Sequence, residues 1–126
     1  MNAAWISFGG ALGTLARYGI ATWAAATLGP AFPFGTLIVN VVGSFLISII
    51  MTVSLGSSLI SPTARAFLTT GVMGGFTTYS SFNFDTLRLA QASNLGLAAL
   101  NLAVTVGTCL LAGLGGIAVG RWLVGG

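Results

Sequence analysis

The chain has 126 residues, of which 56% are hydrophobic and 4% are charged, and its net charge is +3. About a quarter of the residues in a soluble domain are charged, so this composition argues against a water-soluble protein and indicates one embedded in a lipid bilayer. The four arginines are scattered rather than clustered, and histidine, lysine and glutamate are absent, so we expect neither a nucleic-acid partner nor an enzyme.

Four apolar stretches separated by short loops rich in glycine, proline or serine predict an all-α membrane protein with four transmembrane helices. The chain is predicted to be a single transmembrane domain over residues 1–126, with spans at approximately 4–28, 35–55, 64–89 and 95–124. Loops this short make neighbouring spans antiparallel. Glycines spaced four apart in spans one, three and four predict faces on which helices approach closely.

Two polar residues stand inside the first two predicted spans. Arg17 is either an anchor that reaches the interface or a positive group that draws anions into a vestibule. Asn40 lies in the middle of an apolar run and needs a partner. It is expected either to join helices or to present its NH₂ group to an anion.

The third span is interrupted by a polar, glycine-rich stretch, and we predict a break near residues 74–78. Hydroxyl and aromatic side chains follow this break closely. Irregular backbone at membrane depth is tolerated where it is packed in protein or lines a wet cavity. The stretch is therefore either an ion pathway or a polar contact between helices.

The remaining charges and polar groups lie near the ends of span three and inside span four. Asp85 is the only acid, and it stands three residues before Arg88, a spacing that permits an ion pair on a helix. A vestibular or interfacial role is favoured for Asp85 over a role in relaying protons. Asn101 and Thr105 form a polar stripe in span four. The arginines differ little between the two sides, so we expect insertion in both orientations.

Three segments, GALGTLARY at 10–18, GTLIVNVVGSF at 35–45 and GVMGGFTTYSSF at 71–82, together resemble the Fluc/CrcB family of fluoride channels. The resemblance extends over nearly the whole chain. It implies a passive, fluoride-selective channel in the bacterial inner (plasma) membrane that exports cytoplasmic fluoride and relieves its toxicity. It also implies an antiparallel, dual-topology dimer, formed with itself or with a paired homologous subunit, and surrounded by lipid.

The resemblance further assigns roles to individual residues. The implied fluoride pathway comprises Asn40, Tyr79, Ser80, Ser81, Phe82 and Thr105. The backbone carbonyls of Gly74 and Thr77 are implied to hold a structural sodium ion at the dimer interface. Arg17 and Asp85 are implied to be vestibular or structural. Tyr79 stands where the family usually has phenylalanine, and Asp85 where it usually has glutamate.

Two alternatives come from other classes of membrane protein. A proton-coupled small multidrug exporter also packs four spans into a dual-topology dimer, but it needs a carboxylate in span one, which this chain lacks. A non-transporting membrane scaffold would use the glycines for helix packing alone.

Overall fold

The computed structural model describes residues 2–125, and all regular secondary structure in that range is helical. The elements in chain order are α1 (Asn2–Leu28), α2 (Phe34–Gly56), α3 (Pro62–Ala66), a π-helical stretch (Phe67–Met73), α4 (Gly74–Phe76), α5 (Tyr79–Gln91) and α6 (Leu95–Leu123). The run from Pro62 to Gln91, here called the third segment, therefore contains four helical pieces. Its first three pieces follow one another without a gap, and two residues separate them from α5.

Local sequence signals explain where these helices begin and end. Gly29 follows α1 with φ +86°, a left-handed conformation that glycine adopts without strain, and the chain turns there. The hydroxyl of Ser61 accepts from the N–H of Ala64 and caps α3. The side chain of Asn94 accepts from the N–H of Leu97 and caps α6.

Close approach of helices occurs at the glycines whose spacing predicted packing faces. A Cβ atom on Gly9 of α1 would lie 2.7 Å from the carbonyl oxygen of Phe67 in the third segment. A Cβ on Gly75 would lie 2.5 Å from the carbonyl oxygen of Gly10. Since real Cβ atoms do not approach so closely, only glycine permits this packing of α1 against the third segment, and the predicted packing role is confirmed.

Apolar side chains face outwards over much of the surface. Helices α2 and α6 are long and apolar enough to cross a membrane, and only 11% of either apolar stretch is buried within the chain. The core helix of a soluble protein would hide most of such a stretch. The outward faces of α2 and α6 instead suit lipid or another protein chain.

Candidate functional site: the cleft at the helix break

The break in the third segment consists of Thr77 and Thr78, which both have extended backbone conformations. Thr77 still closes the preceding turn, because its N–H donates to the carbonyl of Met73 at 2.9 Å. Thr78 restarts the helix, because its hydroxyl accepts from the N–H of Ser81 at 3.2 Å as an N-terminal cap. Two consecutive β-branched residues, the second of which is a good cap, account for the position of the break.

Asn40 of α2 holds the break from the side. Its Nδ2 donates to the carbonyl of Thr78 at 3.0 Å, and its Oδ1 accepts from the N–H of Thr78 at 2.8 Å. The side chain thus satisfies both backbone groups of the residue at which helical bonding fails. A carboxamide has two N–H donors, and within residues 2–125 Nδ2 of Asn40 has one acceptor, so its second donor is still available. The two roles considered for Asn40 from sequence are therefore compatible.

Arg17 of α1 also contacts the backbone next to the break. Its Nε donates to the carbonyl of Gly75 at 2.9 Å, in the last turn before the break. That turn ends a helix, so its carbonyls lack helical partners. The structure places Arg17 against the backbone of the third segment, a contact that suits the structural role implied by the resemblance rather than an anchor at the interface.

A cleft of about 350 Å³ opens between α2, the break and α6. Its lining combines amide and hydroxyl groups with the rings of two aromatic residues. The lining residues are Asn40, Gly43, Ser44, Ile47, Thr77, Thr78, Tyr79, Phe82, Thr105, Val106 and Cys109. The rings of Tyr79 and Phe82 meet edge to face, with centroids 5.9 Å apart. Phe82 is buried and Tyr79 is exposed on the surface of the chain.

Four of the six predicted pathway residues, Asn40, Tyr79, Phe82 and Thr105, are brought together in this cleft. The other two lie beside it in the first turn of α5. The hydroxyl of Ser80 lies 3.5 Å from that of Thr78 and is exposed, while Ser81 contributes its N–H to the cap. Neither serine lines the cleft, which receives its hydroxyl at this level from Thr78.

A buried chain of hydrogen bonds joins α6 to α5 behind the cleft. The hydroxyl of Thr105 donates to Oδ1 of Asn101 at 3.2 Å, and Nδ2 of Asn101 donates to the hydroxyl of Thr86 at 2.8 Å. The hydroxyl of Thr86 then donates to the carbonyl of Phe82 at 2.8 Å. Asn101 is 1% exposed and Thr105 is 6% exposed. These hydrogen bonds fix the turn of α5 that carries the Phe82 ring.

Asp85 lies away from the cleft, in a separate cavity of about 240 Å³ that is also lined by the α1–α2 loop. The hydroxyl of Thr36 donates to its Oδ2 at 3.1 Å, and Arg88 lies 3.6 Å from its Oδ1. The carboxylate is thus shared between a partner on α2 and the nearby arginine on its own helix. This arrangement suits a role at the mouth of a pathway or in packing.

The carbonyls of Gly74 and Thr77 accept no hydrogen bond from any of residues 2–125. The N–H that would close the next turn on Gly74 belongs to Thr78, and Asn40 accepts it instead. Within the same residues no cluster of three histidine, cysteine, aspartate or glutamate side chains suits a metal ion. Two free carbonyl oxygens are the kind of ligand that a hard cation takes, so the residues present fit part of an alkali-ion site.

Comparison with known proteins places this geometry in context. Residues 4–117 match the model of a family described as CrcB-like protein, Camphor Resistance (CrcB). The chain is 52% identical to the fluoride-specific ion channel FluC of Sorangium cellulosum (strain So ce56), over 97% of this chain and 96% of the relative. It is 52% identical to the protein of that name from Anaeromyxobacter sp. (strain K), over 95% of both chains. For the FluC of a Thermus thermophilus strain the identity is 45%, over 95% of this chain and 94% of the relative.

Proposed function

Because the chain belongs to the CrcB family, we propose that it is a multi-pass membrane protein that conducts fluoride passively and selectively. The observation that carries the proposal is the cleft in which Asn40, Thr78 and the ring of Phe82 meet at the helix break. The relatives named as fluoride-specific channels cover nearly the whole chain, and they support the same conclusion. By releasing cytoplasmic fluoride, such a channel relieves fluoride toxicity.

The chemistry of fluoride explains why such a cleft suits it. Removing water from a small anion is very costly unless hydrogen-bond donors replace that water. The free N–H of Asn40 and the hydroxyl of Thr78 offer such donors at the break. The positive edges of the Tyr79 and Phe82 rings add weaker attraction. Several moderate sites of this kind allow an ion to enter and still leave.

We propose that the membrane arrangement comprises four spans, namely α1, α2, the third segment and α6. Two chains would pair in opposite orientations, either as a homodimer or with a paired homologous subunit, in the bacterial inner membrane. Two features support this arrangement. The cleft is open on one side, and the ring of Tyr79 beside it is 76% exposed within the single chain. The charge bias between loops is too weak to fix one orientation.

We further propose a structural sodium ion at the centre of this dimer, held by the carbonyls of Gly74 and Thr77 from both chains. One chain supplies only these two oxygens, so a second copy is needed to complete the ligand set. A cation there would offset the charge of an anion in the cleft beside it. Exchanging sodium for the larger N-methylglucamine cation on both sides of the membrane should reduce fluoride flux and weaken the dimer.

Reconstitution of the purified chain into liposomes tests the proposed function. Fluoride efflux, followed with a fluoride electrode, should exceed chloride efflux under matched gradients. Drug-driven proton movement without fluoride efflux would instead indicate a multidrug exporter. The absence of any flux would indicate a scaffold. Because only the purified chain is present, efflux would also establish that no second gene product is needed.

A further inference from the structure

Asn101 is among the most buried side chains of the molecule, and it stands between two hydroxyl groups. On one side it accepts from Thr105, which lines the cleft. On the other side it donates to Thr86, which in turn donates to the carbonyl of Phe82. Every proton in this hydrogen-bonded chain therefore points away from the cleft and towards α5.

The direction of these bonds decides what Thr105 offers to the cleft. A hydroxyl has one proton, and that of Thr105 is engaged by Oδ1 of Asn101. Towards the cleft Thr105 therefore presents only oxygen lone pairs, which repel an anion. In this arrangement the residue cannot act as a fluoride donor, although the family resemblance placed it in the fluoride pathway.

A half-turn of the Asn101 carboxamide reverses the direction of these hydrogen bonds. Its oxygen and nitrogen have nearly the same size and exchange places. Thr86 would then donate to Oδ1, and Nδ2 would donate to the oxygen of Thr105. The proton of Thr105 would be released into the cleft. The carbonyl of Phe82 would keep its backbone bond within α5. With an anion bound to Thr105, the turned orientation has as many side-chain hydrogen bonds as the orientation seen here has without the anion.

We propose that Asn101 is a positioning residue that sets the donor direction of Thr105, and that fluoride in the cleft stabilises the turned carboxamide. In the absence of an anion, the carbonyl of Phe82 takes the last proton and the orientation seen here is favoured. In its presence, fluoride replaces that carbonyl as the final acceptor. This inference rests on the proposed fluoride channel and adds Asn101 and Thr86 to its working parts.

The variant Thr86→Val tests this, because valine keeps the shape of threonine and removes the hydroxyl. Asn101 then retains one polar neighbour, Thr105, and one of its amide atoms loses its partner in either orientation. Buried N–H groups without partners are rarer than buried carbonyls without partners, so Nδ2 should turn to Thr105. Thr105 becomes a permanent donor. The half-saturating fluoride concentration for efflux should fall by up to about tenfold, which is part of the value of one hydrogen bond to a charged group, because the unaltered chain already gains the rest when its carboxamide turns.

Three further variants make the result decisive. Thr105→Val should raise the half-saturating concentration by about tenfold, and Thr86→Val should bring no gain in that background. Thr108→Val is the matched control, because this threonine lies on the same helix and does not line the cleft, and among residues 2–125 its hydroxyl bonds only to the carbonyl of Val104. It should leave the concentration unchanged. Thr86→Ala repeats the first measurement with a smaller side chain.

If Thr86 had only a structural role, Thr86→Val would lower the maximal flux or the yield of dimer without lowering the half-saturating fluoride concentration. That outcome would overturn the inference. So would an equal gain from Thr86→Val with and without Thr105. These results are distinct from a failure of the proposed function, in which the unaltered chain itself would pass no fluoride.

Discussion

Replacing Asn40 by alanine removes the side chain that satisfies both backbone groups of Thr78. In a continuous α-helix the N–H of Thr78 would donate to the carbonyl of Gly74, four residues earlier in the third segment. Pairing these two groups would continue the α-helix through the break. The Asn40→Ala variant should therefore close the break and withdraw the Gly74 carbonyl from any cation.

The magnitude follows from the two lost bonds. A hydrogen bond contributes about 0.5–1.5 kcal/mol net, and a buried polar group left without a partner costs about 1–3 kcal/mol. Thr78 is half-buried and loses a partner on each backbone group, so we expect the open break to lose about 2–4 kcal/mol relative to competing conformations. If only the open break conducts, fluoride flux falls by at least about tenfold.

Fluoride efflux from liposomes measures this effect, and Asn83→Ala is the matched control. Asn83 lies on the exposed face of α5, and its side chain makes no hydrogen bond within residues 2–125. The control should conduct like the unaltered chain. Flux within about twofold of the unaltered chain for Asn40→Ala, in a correctly assembled dimer, would refute the idea that the Asn40 side chain keeps the break open.

Three further predictions concern the cleft and the helix packing. Phe82→Ile should abolish or greatly slow fluoride efflux while size-exclusion chromatography still detects the dimer, and unchanged efflux would remove the ring from the pathway. Tyr79→Phe should retain activity if only the ring acts, whereas complete loss would show that the hydroxyl is required. Gly75→Ala should lower thermal stability by about 1–3 kcal/mol, because the added methyl group would meet the carbonyl of Gly10. At Gly107 an added Cβ would meet nothing within 4 Å. Gly107→Ala should therefore leave the free energy of unfolding unchanged or raise it by less than about 1 kcal/mol.

Composition and residue spacing predicted the features that depend on local chemistry. Two adjacent glycines, closely followed by hydroxyl and aromatic side chains, indicated the break, and four-residue glycine spacing indicated the faces on which helices approach. Asn40 stood out because an amide within an apolar helix requires a partner. These inferences depend on residues close together in sequence or on one helix face, where periodicity is informative.

Contacts between distant segments could not be obtained in this way. Nothing local to Arg17 indicates that its guanidinium bonds to a carbonyl 58 positions later. Ser44 and Cys109 line the cleft although the sequence interpretation assigned them no role. Ser44 could have been found, because it lies one helical turn after Asn40 on the same face. Cys109 lies one turn after Thr105, but a small sulfur side chain in an apolar run gives no signal of its own.

The two residues that hold the break also have a consequence for how the chain is made. Arg17 and Asn40 both precede the third segment, so ribosomal synthesis delivers them to the membrane before Thr78 emerges. When the backbone groups at the break enter the membrane, the side chains of Arg17 and Asn40 are therefore already present to bond with them. Unpaired backbone groups in contact with lipid would be costly in free energy. A circularly permuted gene that begins at Pro62 would reverse this order. It should yield less inserted protein, even though the finished fold would contain the same contacts.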